Sequence, residues 1–334
     1  MSLLPASGTR ETPVRKPHRI FKGHTESVIG IKHFPGGQRI VTCSEAGLLR
    51  VWNSRNGLQI RKNWQDGQSP VNRIALSPDG KMVGAGSDDG AVRLWDIETG
   101  KVIAEWMGHS KRVWPICWSR DGQRVVSGSE DGTARVWNVK DGETILGPIN
   151  TGHRNVFAVI YSPNEAMIAT SGYEEGDKLI RIWNAKTFAL VTTLKGHTGH
   201  VYCLAWAEDG KSLISSSADC SIRIWNTTTW KQNAVLTDQT QPIRVIEMSL
   251  NGRILASASY DNTVRLWNLE NGLPIGSPLQ HAGMVNCISI SDDGRFLATG
   301  CEDTNSYTWD VSAIVKEAGF NNLLSDSNVS NTFA

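Results

Sequence analysis

The chain lacks any apolar run approaching the roughly 18–20 residues of a membrane-spanning helix. Its first 19 residues, MSLLPASGTRETPVRKPHR, hold no apolar segment of the kind a secretory signal needs. It also lacks an excess of either charge: 34 Lys and Arg against 33 Asp and Glu leave a formal +1, which gives no sign of a nucleic-acid or membrane surface. Its six cysteines (Cys43, Cys117, Cys203, Cys220, Cys287 and Cys301) form no CxxC pair. Four or five of them fall in apolar, strand-like runs, where cysteine packs as a small hydrophobe. That usage suits a reducing, intracellular setting, in which the sequons at Asn226 and Asn328 are chance matches. Phe and Tyr are scarce, at 7 and 5, yet there are 13 Trp, so something places tryptophan repeatedly.

What is present is a repeat. Six strings of the form Arg-x-Trp followed by Asn or Asp end on Trp52, Trp95, Trp137, Trp183, Trp225 and Trp267, and a seventh, YTW, on Trp309. Their spacings are 43, 42, 46, 42, 42 and 42 residues, a period that means a stacked architecture. Within one repeat, VWPICWS (113–119), RVVSGS (124–129), TARVWN (133–138) and residues 143–149 are short β-prone runs. The turns RDG, EDG and KDG separate them, and such a pattern predicts an antiparallel meander of four strands. Seven such units, none able to bury both faces alone, predict an all-β, seven-bladed propeller.

The strings GHTESV (23–28), GHSKRV (108–113), GHRNV (152–156) and GHTGHV (196–201), with the closing WN or WD, resemble the WD40 repeat family over residues 18–310. The resemblance implies that residues 18–22 (HRIFK) supply the outer strand of the last blade and so close the ring. Residues 1–17 are then expected to be a disordered arm. In the tail, 311–334, the apolar Ile314, Val315, Ala318 and Phe320 suit a short helix, followed by an Asn/Ser-rich disordered end.

The family resemblance also implies a buried chain in each blade from His through a Ser or Thr to Trp, with an Asp fixing the His tautomer. Buried imidazole needs both nitrogens satisfied. The expected sets are His109, Ser127, Asp131 and Trp137; His197, Ser215, Asp219 and Trp225; His281, Thr299, Asp303 and Trp309; and His153, Asp177 and Trp183 with Ser171 as the hydroxyl. Blade 1 has His24, Thr42 and Trp52 but Ala46 in place of Asp. Blade 2 has Asp89 and Trp95 but Gly67 and Ala85 in place of His and hydroxyl, and blade 6 has Gln239 in place of His beside Ser257, Asp261 and Trp267. The joint loss in blade 2 assigns the bridging role to the hydroxyl four residues before the Asp.

His109, Ser127 and Asp131 have the composition of a hydrolase triad, but the trio recurs around the ring and is tied to Trp each time, so it reads as structural. One His per blade scatters the histidines too widely for a zinc site, and no cofactor is expected. The Arg two residues before each Trp reads as a stem over apolar surface with a wet head. Function is therefore expected on the exposed loops. By resemblance, partners dock on the face of the d–a and b–c loops. There the residues that look inward are Ile29, Asn72, Trp114, Phe157, Tyr202, Arg244 and Asn286, with Arg112 and His200 beside them. A second set precedes the turn Asp: Glu45, Asp88, Glu130, Ala218, Tyr260 and Glu302. Together they predict an aromatic arc on blades 3–5, an acidic arc on blades 7, 1, 2 and 3, and an acidic rim from YEEGDK (173–178). Aromatics and Arg are the commonest hot spots. The expected function is a monomeric, non-catalytic scaffold or adaptor for a protein or peptide, without nucleic acid or membrane. The alternative is a stand-alone sensor or substrate-recognition domain of a signalling or ubiquitin-type assembly.

Overall fold

The computed structural model describes residues 15–61, 63–64 and 69–324. Residues 1–14 of the expected arm, Gly67 and the end of the tail lie outside them. Each 42-residue unit folds as its pattern dictates. In blade 3, Val113–Trp118, Arg124–Ser129, Thr133–Asn138 and Thr144–Asn150 pair in sequence order as an antiparallel sheet. Asp131 shapes the turn between the second and third strands: its carboxylate accepts the backbone N–H of Thr133 at 2.9 Å, a side-chain turn that competes with continued strand.

Seven such blades form the ring, with two irregular outer edges. Blade 1 has three strands, Val28–His33, Arg39–Ser44 and Leu49–Asn53, and its outer edge is reduced to bridges at Gln59 and Trp64. Blade 6 has a divided outer strand, Leu273–Pro274 and Leu279–Gln280. Blade 7 comprises Val285–Ile290, Phe296–Cys301 and Ser306–Asp310, and Arg19–Phe21 pairs antiparallel with the last of these, opposite Tyr307 at Ile20. The first and last strands among the described residues thus share one sheet, which covers an edge otherwise open to pairing.

Neighbouring blades meet through large side chains whose sizes compensate. A β-carbon on Gly100 would stand 2.3 Å from Trp64, and one on Gly142 would stand 2.4 Å from Trp106. At those turns only glycine leaves room for the indole on the preceding blade's outer edge. Blades 4 and 5 reverse the arrangement. The preceding outer strands carry the smaller Ile149 and Leu194, and the turn residues are Phe188 (φ 53°) and Trp230 (φ 56°). Bulky residues rarely adopt that backbone conformation; here each ring packs on the cluster holding the smaller residue.

The recurrent Arg departs from the expected wet head most clearly in blade 2, while the other five are partly exposed. Arg93 is 1% exposed and bonds Asp89 and Glu105, the latter on the outer strand. Arg50 bonds Gln59 at 2.7 Å, and Arg223 and Arg265 bond Gln232 and Asp238. In blades 1, 2 and 5 the guanidinium ties the third strand to the outer edge, while Arg265 reaches Asp238 in the loop that enters blade 6. Beyond Asp310, whose carboxylate accepts the N–H of Ala313 at 2.8 Å, the chain forms a helix, Val311–Glu317. Val311, Ile314 and Val315 are buried in the core of the last blades. A 3-10 turn, Asn321–Leu324, follows and is tied to blade 6 by Asn251 and Arg253, which donate to the carbonyls of Leu323 and Asn322 at 2.9 and 2.7 Å. Residues 311–324 therefore share the propeller's core.

Candidate functional site

The buried chains are the first candidate. Ser127 accepts the indole N–H of Trp137 at 2.8 Å and bonds His109 Nε2 at 2.8 Å, while His109 Nδ1 lies 3.1 Å from Asp131. Blade 5 repeats this with Trp225–Ser215 at 2.9 Å, His197–Ser215 at 2.7 Å and His197–Asp219 at 2.8 Å. Burial alone would raise the carboxyls of Asp131 and Asp219; the hydrogen bonds from the histidines and from Thr133 or Ser221 outweigh it and hold both far below the usual range. Ser127 is fully buried, and its oxygen is committed to indole and imidazole. The trio's hydrogen bonds all run within the blade.

Two blades depart from the expected sets. In blade 4 the hydroxyl is Thr170, which bonds His153 Nε2 at 3.3 Å and accepts from Trp183 at 2.9 Å. Ser171 instead donates to the carbonyl of Val201. Glu174, 3.4 Å from His153 Nδ1 and bonded to Arg181, takes the acid's place; Asp177 pairs with Lys195 at 2.7 Å. The insertion lies after the acid, so the hydroxyl still stands four residues before it. In blade 7 the phenol of Tyr307 donates to Asp303, and His281 Nδ1 turns to the carbonyl of Leu279 at 3.0 Å. Elsewhere, Gln239 Oε1 accepts from Ser257 at 2.6 Å in the manner of His, whereas Trp95 Nε1 and His24 Nδ1 have no partner among the described residues.

The loop face is the second candidate, and a backbone irregularity builds it. In each blade the inner strand slips register near its start: between Val28 and Gly30, Val71 and Ile74, Val113 and Ile116, Val156 and Ala158, Val201 and Cys203, Ile243 and Val245, and Val285 and Cys287. The extra residue of a bulge leaves the alternation of the strand and re-aims its side chain. Ile29, Asn72, Trp114, Phe157, Tyr202, Arg244 and Asn286 all occupy these bulges. Three of them, Ile29, Asn72 and Asn286, are buried, and Asn72 donates to the carbonyl of Val113 at 2.9 Å.

The partly exposed ones form two groups. Phe157 and Tyr202 stand 5.6 Å apart, and Tyr202 and Tyr260 6.4 Å, centre to centre. Arg244 donates to the Tyr260 hydroxyl at 2.7 Å and lies 5.7 Å over its ring. Burial raises the phenol of Tyr202. Trp114 is held separately: Glu130 accepts its indole N–H at 2.8 Å, and Arg112, over its ring at 5.2 Å, grips Asp88 with contacts of 2.7 and 2.8 Å.

These contacts change the expected charge pattern. Asp88 and Glu130 are engaged by Arg112 and Trp114, so the acidic arc reduces to Glu45 and Glu302, both exposed and without an ion-pair partner among the described residues. The expected acidic rim of blade 4 is likewise neutralised, with Glu174 turned inward, Glu175 on Arg154 at 2.8 Å and Asp177 on Lys195. Its place is taken by Tyr173, whose ring lies tilted 4.4 Å from that of His200 with Lys178 at 5.8 Å. Tyr260 joins the aromatic arc and extends it to blade 6. Arg73, which the sequence reading passed over, lines the central channel, a cavity of about 630 Å³, without an ion-pair partner among the described residues. It directly follows Asn72 in a two-residue bulge, a detail with no sequence signal. Lys32 and Glu247 form an ion pair across the same channel.

A family model described as WD domain, G-beta repeat matches residues 15–53, 59–96, 100–138, 146–184, 188–226, 230–268 and 272–310, and the chain belongs to that WD40-repeat family. Among curated proteins it is 29% identical over 200 residues to autophagy-related protein 16 of Arabidopsis thaliana, covering 58% of this chain and 38% of that one. It is 28% identical over 208 residues to WD repeat-containing protein 1 of Rattus norvegicus, 60% and 34%. It is 30% identical over 204 residues to nuclear distribution protein nudF of Emericella nidulans, 60% and 40%. The matches thus span about a third to two fifths of those relatives. The family and these relatives fit a protein-interaction scaffold. No helix among the described residues is long and apolar enough to cross a membrane.

Proposed function

We propose that this chain is a non-catalytic, intracellular scaffold whose loop face takes a peptide or loop with an apolar anchor and basic flanks. The anchor sits on the arc of Trp114, Phe157, Tyr202 and Tyr260, and a basic flank reaches Glu45 or Glu302. The observation that carries this reading is the preset indole of Trp114. Its N–H is already satisfied by Glu130 and its ring is held by Arg112, so a partner meets a fixed aromatic surface and orders little on binding. The described cysteines are all free thiols, which supports a reducing compartment.

Capture of a partner from cell extract by the immobilised chain tests the proposal. Trp114→Ala with Tyr202→Ala should lower capture at least tenfold, the loss expected when two aromatic hot spots are truncated. Changes at exposed residues of the opposite face should leave capture intact. Undiminished capture by the double variant, folded as judged by its melting temperature, would refute the reading.

A further inference from the structure

The face opposite the aromatic arc is built by the turns between the first and second strands. At the first tip position blades 1–4 place Pro35, Pro78, Arg120 and Pro163, but three neighbours differ. Blade 5 presents Glu208-Asp209, blade 7 presents Asp292-Asp293, and blade 6 between them presents Leu250-Asn251. Leu250 is 56% exposed. These turns bound a groove of about 520 Å³ whose apolar lining includes Met248, Leu250 and Leu269 and, from the C-terminal turn, Leu323 and Leu324. Four carboxylates and no Lys, Arg or His line it.

The carboxylates are poorly neutralised. Glu208 meets Arg120 at 3.7 Å and Asp209 meets Lys211 at 4.0 Å, in exposed pairs that contribute little. Asp292 accepts the N–H of Gly36 at 3.1 Å, and Asp293 accepts from Ser291 and the N–H of Arg295, all neutral donors. An apolar floor with two carboxylates on each side is a charge pattern with one complement.

We propose that this groove is a second docking surface, independent of the loop face, for a segment of a protein partner that carries an apolar anchor with a Lys or Arg on each side. Leu250 and Met248 receive the anchor; Glu208–Asp209 and Asp292–Asp293 receive the flanking cations. The chain's own residues 325–334, SDSNVSNTFA, are the nearest competitor, but they hold one acid and no base, the wrong charge for this lining.

A display library of random peptides, each about twelve residues long, panned on the full chain tests the proposal. Counter-selection uses Leu250→Asp, which fills an exposed turn position without touching the ring's hydrogen bonds. The peptides lost on that variant should be enriched in Lys or Arg on both sides of Leu, Ile, Met or Phe. A synthetic peptide of the selected sequence should bind Glu208→Lys/Asp292→Lys at least tenfold more weakly than the parent, and should bind Trp114→Ala/Tyr202→Ala unchanged. A pool without flanking bases, or equal binding to the charge-reversed variant, overturns the proposal. So does a chain ending at Leu324 that binds at least tenfold more tightly than the full chain, since the groove would then belong to residues 325–334.

Discussion

A buried imidazole in this ring is only as good as its second partner. His109 and His197 reach both a hydroxyl and a carboxylate, whereas Gln239 reaches Ser257 while the N–H of Thr240 lies 3.5 Å from Asp261. His109→Ala removes one donor from Asp131, which keeps Ser110 and Thr133, and leaves the buried hydroxyl hydrogen of Ser127 without its acceptor, and should cost about 2–3 kcal/mol. Gln239→Ala should cost about half as much, roughly 1–1.5 kcal/mol. Denaturant unfolding of the two variants separates them, and equal losses would refute the ranking. In blade 4, the same measurement should find Glu174→Gln destabilising and Asp177→Asn neutral, because Glu174 sits between His153 and Arg181 while Asp177 makes an exposed pair. Most of this was legible in residue spacing. The four-residue step from hydroxyl to acid holds in blade 4 as elsewhere, but the Asp in YEEGDK attracted the assignment because an insertion's position inside a hairpin leaves no mark in a period. The capture of Asp303 by Tyr307 was illegible for another reason: it is a competition between two donors for one acceptor, settled by distance.

Within an element, the shape of the outer strand and the turn of the next blade are chosen together. Where an indole ends the strand, as at Trp64 and Trp106, the facing turn is Gly100 or Gly142; where Ile149 or Leu194 does, the turn is Phe188 or Trp230. Gly142→Ala must therefore displace Trp106 and adopt φ near 74°, and should destabilise by about 1–3 kcal/mol. Trp230→Gly relieves an unfavourable φ of about 1 kcal/mol but removes a packed ring of about 3 kcal/mol, a net loss of about 2 kcal/mol. Melting temperatures check both. A Trp230→Gly variant as stable as the parent would mean that the ring fills nothing.

Across the whole molecule, acid should loosen the ring in two stages. Burial lowers His24, His33, His153 and His281 to about 4. In the unfolded chain a histidine titrates near 6.5, so between pH 6.5 and 4 the unfolded state binds more protons and stability falls as pH falls. Below that, Asp131 and Asp219, held low by their hydrogen bonds, withdraw their contribution as they protonate. Thermal unfolding followed from pH 8 to 3 should therefore be flat above pH 7 and decline below 6.5. Up to about four protons should be taken up on unfolding near pH 5, one for each of these histidines. A melting temperature that stays level down to pH 4 would contradict the buried, neutral state of those imidazoles.

The amino-acid sequence by itself determined the number of blades, the strand order within each and the location of most buried chains. Those features repeat every 42 residues and arise from neighbours in the chain: alternating apolar residues, Asp-Gly turns and one Trp per unit. Only the tertiary structure decided which carboxylates remain free. Arg112 belongs to blade 3 but neutralises Asp88 of blade 2, and Glu130 is claimed by the indole of Trp114. It alone decided that bulges turn seven inner-strand residues out of alternation, and that blade 6 sets Leu250 between two acidic turns beside the folded end of the chain. The physical reason is the same throughout: hydrogen bonds and charges fall off within a few ångströms. Which groups meet at that range depends on how consecutive blades are set around the ring, and a one-dimensional period does not carry that angle.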